Sequence, residues 1–304
     1  MEELHSWTLT VLVNNCVKGA GLLAEHGLSL LLQREAPATA GEEGGSSTLL
    51  FDTGQTAQVL AHNAGALHID PGEISAVVLS HGHYDHTGGL EAVTAVLDRR
   101  DAPERLPVYA HPAAFTSKLK LSPERRDIGS PMSAGDLEAA GVDLRLDSAP
   151  VQLSGELWTT GEVPRRHDVE KEAVAGFYTE ADGEIVEDTI PDDQSLVLLR
   201  PDGSYYLICG CCHAGLLNTL EHAQDIARRA GVASPRVRGI LGGLHTTGAS
   251  EARLEATIEG LRAYDPEWIA PIHCSGRREA AVLHAALGDR VRFLSVGSRV
   301  RLAS

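Results

Sequence analysis

Apolar runs of strand length alternate with helical patterns over most of the chain. Leu9–Val13 and Leu28–Leu32 are short and almost wholly apolar, which predicts two buried strands. Thr48–Phe51 predicts a third, ending at Asp52-Thr53-Gly54. Between Arg34 and Ser47 a Gly, Ala and Glu stretch fits neither period and reads as a loop. Gln55–Ala64 can form a helix, Pro71-Gly72 marks a turn, and Ala76–Leu79 reads as a buried strand stopping at Ser80. Leu90–Arg99 reads as a helix and Val108–Ala110 as a strand. Ser195–Leu199 and Tyr205–Ile208 flank Pro201-Asp202-Gly203, a hairpin signal. Leu216, Leu220, Ala223 and Ala227 share one helix face, with Arg228 and Arg229 in the last turn and Gly231 beyond it. A strand over Val237–Leu241 precedes a helix that starts near Ser250 and ends before Pro266. Trp268–Ala270, Glu279–Leu287 and Val291–Leu294 then read as strand, helix and last strand. From about 112 to 190 the pattern is least regular, and active-site loops are expected there. Two halves, each strand-rich then helix-rich, predict one layered α/β domain over residues 1–304.

Composition narrows the partners. The 304 residues hold 26 Lys and Arg against 42 Asp and Glu, a net charge of −16. That balance opposes broad binding to nucleic acid or to an anionic membrane, although a local basic pocket is compatible with it. Aromatics make up only 4%, too few for a single-strand stacking platform. No apolar run approaches roughly 18 residues, the length of a membrane span. Met1-Glu2-Glu3 puts acid where a signal peptide needs base, so the chain reads as soluble and cytoplasmic. Cys16, Cys209, Cys211, Cys212 and Cys274 are odd in number and crowded, which is no disulfide framework. Cys16 reads as a core residue.

The strongest chemical signal is Ser80-His81-Gly82-His83-Tyr84-Asp85-His86-Thr87-Gly88-Gly89. Three imidazoles and a carboxylate within six residues, directly after a buried strand, are the ligand types that borderline divalent metals favour. Gly82 lets the backbone turn tightly enough for both neighbours to reach one ion, while Asp85 and His86 face a second position. Two later strand ends have the same form: Cys209-Gly210-Cys211-Cys212-His213 and Pro271-Ile272-His273-Cys274.

The His81–His86 loop resembles the H-x-H-x-D-H signature of the metallo-β-lactamase superfamily, and Phe51-Asp52-Thr53-Gly54 is similar to that superfamily's strand-end Asp. The resemblance implies a four-layer αββα sandwich with its metals at one edge of two sheets, and His273 as the distal ligand. It also exposes departures. Gly210-Cys211 stands where hydrolases of the superfamily commonly carry Gly-Asp, whose Asp bridges two metals. Glu162, in Gly161-Glu162-Val163-Pro164, stands where a third His often lies. His213 is therefore expected as the third imidazole, with Cys211 and Glu162 as lesser candidates. One or two divalent ions are implied, zinc first, with manganese or iron as alternatives.

A narrower resemblance rests on Asp192-Asp193-Gln194-Ser195, Gly210-Cys211-Cys212-His213-Ala214-Gly215, Gly242-Gly243-Leu244-His245, His273-Cys274-Ser275-Gly276, Gly161–Arg165 and His111-Pro112. Together these resemble the dihydropterin-ribofuranosylaminobenzene phosphate synthase family from Val13 to Val296. That implies C–N bond formation on a small phosphorylated, pterin-like substrate with loss of diphosphate. The alternative is a metal-dependent hydrolase of a small ester, lactone, thioester or phosphodiester.

The expected metal set is thus His81, His83, Asp85, His86, Cys211, His213 and His273. Asp85 and Glu162 are the candidate catalytic carboxylates, Glu162 as a general base or as an exposed loop residue. His245, Asp193 and Gln194 are candidate substrate contacts. His245 could instead tie a loop to the sheet, and Asp193 and Gln194 could instead cap a turn. His5, His26, His62, His68, His167, His222 and His284 lack partners at telling spacings and read as structural. No nucleic-acid or membrane partner is expected, and homo-oligomerisation is left open.

Overall fold

The computed structural model describes residues 6–34, 47–97 and 105–303. His5, the loop expected between Arg34 and Ser47, and the end of the helix expected to reach Arg99 lie outside them. In chain order the first strands are β1 (Trp7–Val13), β2 (Ser29–Arg34), β3 (Ser47–Phe51), β4 (Ala76–Val78) and β5 (Pro107–Ala110). The short β6 (Leu119–Lys120) and β7 (Arg126–Asp127) precede β8 (Asp143–Leu146), β9 (Leu157–Thr159), β10 (Tyr178–Ala181) and β11 (Glu184–Glu187). Then come β12 (Ser195–Leu199), β13 (Ser204–Cys209), β14 (Arg236–Gly242), β15 (Trp268–Pro271) and β16 (Arg299–Leu302). The helices are α1 (Ala57–Ala66), α2 (Tyr84–Thr87), α3 (Leu90–Leu97), α4 (Ala134–Ala139), α5 (Leu216–Arg229), α6 (Glu251–Tyr264) and α7 (Arg277–Leu287).

Two large sheets, β16-β1-β2-β3-β4-β5-β8 and β15-β14-β13-β12-β9, pack face to face. Apolar runs without alternation explain this, because successive side chains leave a strand on opposite faces and both faces are covered. Leu30 and Leu32 enter the inter-sheet core with Leu196, Leu198 and Ile208. Leu31 turns outward to the layer that includes Leu60 of α1 and Val93 of α3. Val197 turns outward to Leu216 and Leu220 of α5 on the opposite side. The result is the expected αββα arrangement of four layers. Each leucine buried this way contributes about 1.5–3 kcal/mol of transfer free energy.

Two differences from the sequence reading have physical causes. Val291–Leu294 is not a strand: Val291 makes a single bridge to Ile269, and Phe293 is exposed. The last strand is β16, where buried Val300 and Leu302 alternate with exposed Arg299 and Arg301. Its period of two was hidden by charge. The irregular middle folds partly into a small third sheet, β11-β10-β6-β7. Its two-residue strands and the exposed β11 carry no apolar run to announce them.

Strand direction positions the site. β3 and β4 run parallel, so Asp52 and Ser80 leave the sheet side by side. β13, β14 and β15 are also mutually parallel, so the segments after Cys209, Gly242 and Pro271 emerge at one edge. None of the described helices is long and apolar enough to cross a membrane.

Candidate metal centre

The loop after β4 is held from below by one carboxylate. Asp52 is buried, with a left-handed backbone (φ 59°). Its Oδ1 accepts from the Ser80 amide and its Oδ2 from the Ser80 hydroxyl, each at 2.7 Å. The same Oδ2 lies 2.7 Å from Nδ1 of His86. Gly82 is required where it stands, since a Cβ there would come within 1.9 Å of the Ala114 carbonyl oxygen. Its amide donates to Asp192 Oδ2 at 2.7 Å, and Lys118 Nζ lies 2.7 Å from Asp192 Oδ1 and 3.2 Å from Asp188. Lys118 is only 1% exposed, so this ion cluster is inside the protein.

His81, His83 and His213 each place a ring nitrogen within 4.8 Å of the others. His213 arrives from beyond β13, where Asp193 Oδ2 accepts from the Ala214 amide at 2.8 Å and Arg165 donates to the His213 carbonyl. Nε2 of His83 and Nε2 of His213 are buried without a hydrogen-bond partner. Burial is the largest cause holding all three imidazoles well below the ordinary histidine range. They are therefore neutral near pH 7, the form that ligates metal. An orphaned pair of nitrogens among neutral imidazoles fits a bound divalent cation and costs free energy without one.

A second group adjoins it. His273 follows β15 with φ 52°, and its Nδ1 faces Asn15 Oδ1 at 2.9 Å, which leaves Nε2 turned inward. That Nε2 is 3.1 Å from His86 Nε2 and 3.4 Å from Asp85 Oδ2. Burial opposes ionisation of Asp85, yet His86, His26 and His273 hold its carboxyl well below the usual range. Burial likewise opposes the charge on His86, but Asp52 and Asp85 outweigh it and push the imidazole up to about 9. A metal at Nε2 would displace that proton. Cys211 Sγ lies within 4.8 Å of ring nitrogens of both His81 and His86.

His26 was read as structural, but its Nε2 is 3.2 Å from Asp85 Oδ2, and His26, Asp85 and His273 form a further ligand group. Nothing in the spacing of Glu25-His26-Gly27 signals this, because only tertiary packing sets the loop before β2 against Asp85. The other candidates fall in different places. Glu162 is exposed, 4.0 Å from His111 Nε2, and belongs to none of the ligand groups. Asp193 braces the loop that carries His213, and burial pushes its carboxyl up to about 6. Gln194 is buried, its side-chain amide donating to the Leu79 carbonyl. Neither of these two lines the cavity described next, whereas His245 does.

The histidine cluster opens into a cavity of about 960 Å³. Its lining includes His83, Asp85, His213, His245 and His273, together with Lys18, Lys120, Arg126 and Arg277. Phe177 stacks on His83 with ring centroids 5.1 Å apart, and Lys120 Nζ sits 3.2 Å above the Phe177 ring. On a chain of net charge −16, this concentration of cations around one opening makes the local potential more positive than that of the chain as a whole.

Residues 42–186, which include the His81–His86 loop, match the model of the metallo-beta-lactamase superfamily, so this stretch carries a domain of that kind. It is similar to a protein of Methanocaldococcus jannaschii named 7,8-dihydropterin-6-methyl-4-(beta-D-ribofuranosyl)-aminobenzene-5'-phosphate synthase. The two are 28% identical over 257 residues, covering 83% of this chain and 82% of that one. An uncharacterized protein of the same organism is 29% identical over 255 residues, 83% of this chain and 85% of its own. Among solved structures, one described as a metal-dependent hydrolase of the beta-lactamase superfamily superposes with a TM-score of 0.77. It shares 24% identity and covers 98% of this chain and all of its own, a likeness of fold. A diphosphatase described as from the PhnP family gives a TM-score of 0.53 at 15% identity, covering 98% of each chain.

Proposed function

We propose that this chain is a metal-dependent enzyme that joins a phosphorylated, pterin-like substrate to an arylamine with loss of diphosphate. The observation that carries the proposal is the ring of Lys18, Lys120, Arg126 and Arg277 around a cavity floored by the histidine cluster. The similarity to the synthase of M. jannaschii supports the same substrate class.

His81, His83 and His213 would hold one ion, and Asp85, His86 and His273, with His26 beside them, a second; zinc suits this imidazole and carboxylate set best. The ions would supply Lewis-acid stabilisation of the departing diphosphate oxygens. The protein's own groups do the rest. Lys120 and Arg126 bind phosphate oxygens, and Phe177 packs against His83 and under Lys120 to hold both at the cavity wall. The amine nitrogen forms the new bond to the methylene carbon as the carbon–oxygen bond to diphosphate breaks. Diphosphate takes the bonding pair, and the amine proton is released to solvent. Asp85 keeps its charge throughout and holds His26 and His273 in place. Glu162 has no part in the proposal, because its carboxylate stands apart from the ligand groups.

The test is incubation of the metal-loaded protein with a hydroxymethyl-dihydropterin diphosphate, with and without an arylamine. Amine-dependent diphosphate release is expected. Release at the same rate in water alone would overturn the transfer reading in favour of hydrolysis.

A further inference from the structure

Three more donors meet beside the imidazole cluster. Cys211, His245 and Cys274 each place a ligand atom within 4.8 Å of the other two. They lie just past β13, β14 and β15, whose parallel pairing sets three strand ends in a row. The two sulfur atoms are 3.1 Å apart, and Cys274 Sγ also approaches the Cys211 carbonyl oxygen at 3.4 Å. His245 Nδ1 is buried with no hydrogen-bond partner. Arg253 donates to the His245 carbonyl at 2.7 Å, which anchors the backbone that carries the ring. Gly243 leaves room for the sulfur: a Cβ there would stand 2.5 Å from Cys274 Sγ. All three donors line the large cavity.

We propose that Cys211, His245 and Cys274 form a separate site for one thiophilic cation, of the class of zinc(II), cadmium(II) or copper(I). Two thiolates and an imidazole are the donors of three-ligand metal sites with an open fourth position, and that position here faces the cavity. Soft sulfur ligands select such ions over magnesium or calcium. Binding releases the two thiol protons. Cys211 also lies within 4.8 Å of ring nitrogens of His81 and His86, so this site adjoins the imidazole cluster. The His245 side chain hydrogen-bonds to Cys274, so imidazole and thiol already face one another.

The experiment uses the full chain, stripped of metal and kept reduced, titrated with cobalt(II) or cadmium(II) alone. A sulfur-to-metal charge-transfer band is expected at the first equivalent. It should fall to roughly half in Cys274→Ser, which removes one of two sulfur ligands. It should weaken in His245→Ala and persist in His83→Ala/His213→Ala, each variant being checked for folding by circular dichroism. X-ray absorption of the unmutated chain with one equivalent of cadmium should give two sulfur neighbours. One sulfur or none, or a band indifferent to Cys274→Ser, would overturn the proposal. So would mass-spectrometric detection of a Cys211–Cys274 disulfide under these reducing conditions.

Discussion

Asp52 Oδ2 lies 2.7 Å from Nδ1 of His86, and both side chains are fully buried. The carboxylate fixes the imidazole so that Nε2 is the atom offered to a metal, and the same carboxylate braces Ser80 at the start of the ligand loop. Asp52→Asn keeps the shape but weakens this grip. Its metal affinity should fall about 10–100-fold, the usual effect of losing a partner behind a ligand. Competition against a chromophoric chelator measures it, and unchanged affinity would dismiss the bracing role.

Lys118 carries a separate structural burden. Replacing it with Met leaves Asp188 and Asp192 buried without their cation. Breaking a buried pair from one side typically costs about 3–5 kcal/mol. Denaturant unfolding of Lys118→Met should therefore show a loss of that order, and the loop at Gly82 should loosen with it, because Asp192 holds both.

Lys120 and Arg126 should act on substrate binding rather than on chemistry. Lys120→Ala and Arg126→Ala are each expected to raise KM for a phosphorylated substrate by about tenfold while kcat stays within about twofold. Steady-state kinetics decides this. Equal loss in kcat and kcat/KM would instead place these cations on the transition state.

His222, on α5, gives a pH signature remote from the metal centre. Its Nε2 lies 3.0 Å from the Thr160 carbonyl, and burial holds the imidazole below the ordinary histidine value. The folded state therefore binds a proton less readily than the unfolded chain. Stability from this residue is complete above about pH 6.5 and is lost as pH falls through that value toward the folded pKa. His222→Gln should flatten the fall in unfolding free energy between about pH 7 and pH 5. An unchanged slope would show that other groups set it.

The metal loop was legible because its chemistry is local: His81, His83, Asp85 and His86 are close in sequence and follow a strand whose burial is plain from Ala76–Leu79. The same grammar of a strand end followed by a donor pointed to His213 and His273, which the fold places in the candidate ligand groups. His26 was missed because its link to Asp85 exists only after the loop before β2 folds across the sheet edge. Gln194 was open between a ligand contact and a structural role in a turn, and packing turns its amide to the Leu79 carbonyl, which polarity alone could not reveal. The two large sheets were visible through unbroken apolar runs. The small sheet was not, because β6 and β7 are too short to carry a period, and β11 has no buried face.

Lys120 and Arg126 lie on that small sheet and Phe177 just before it, while every residue of the ligand groups lies elsewhere in the chain. These cavity-wall residues and the ligand groups thus come from different stretches of the chain, and they meet at Lys118, where Asp192 also holds Gly82, and at Phe177, which stacks on His83. Exchanging the segments around 119–127 and 178–187 with Lys118 and Phe177 retained offers a route to new guests over the same ionic hearth, for natural divergence and for the laboratory alike.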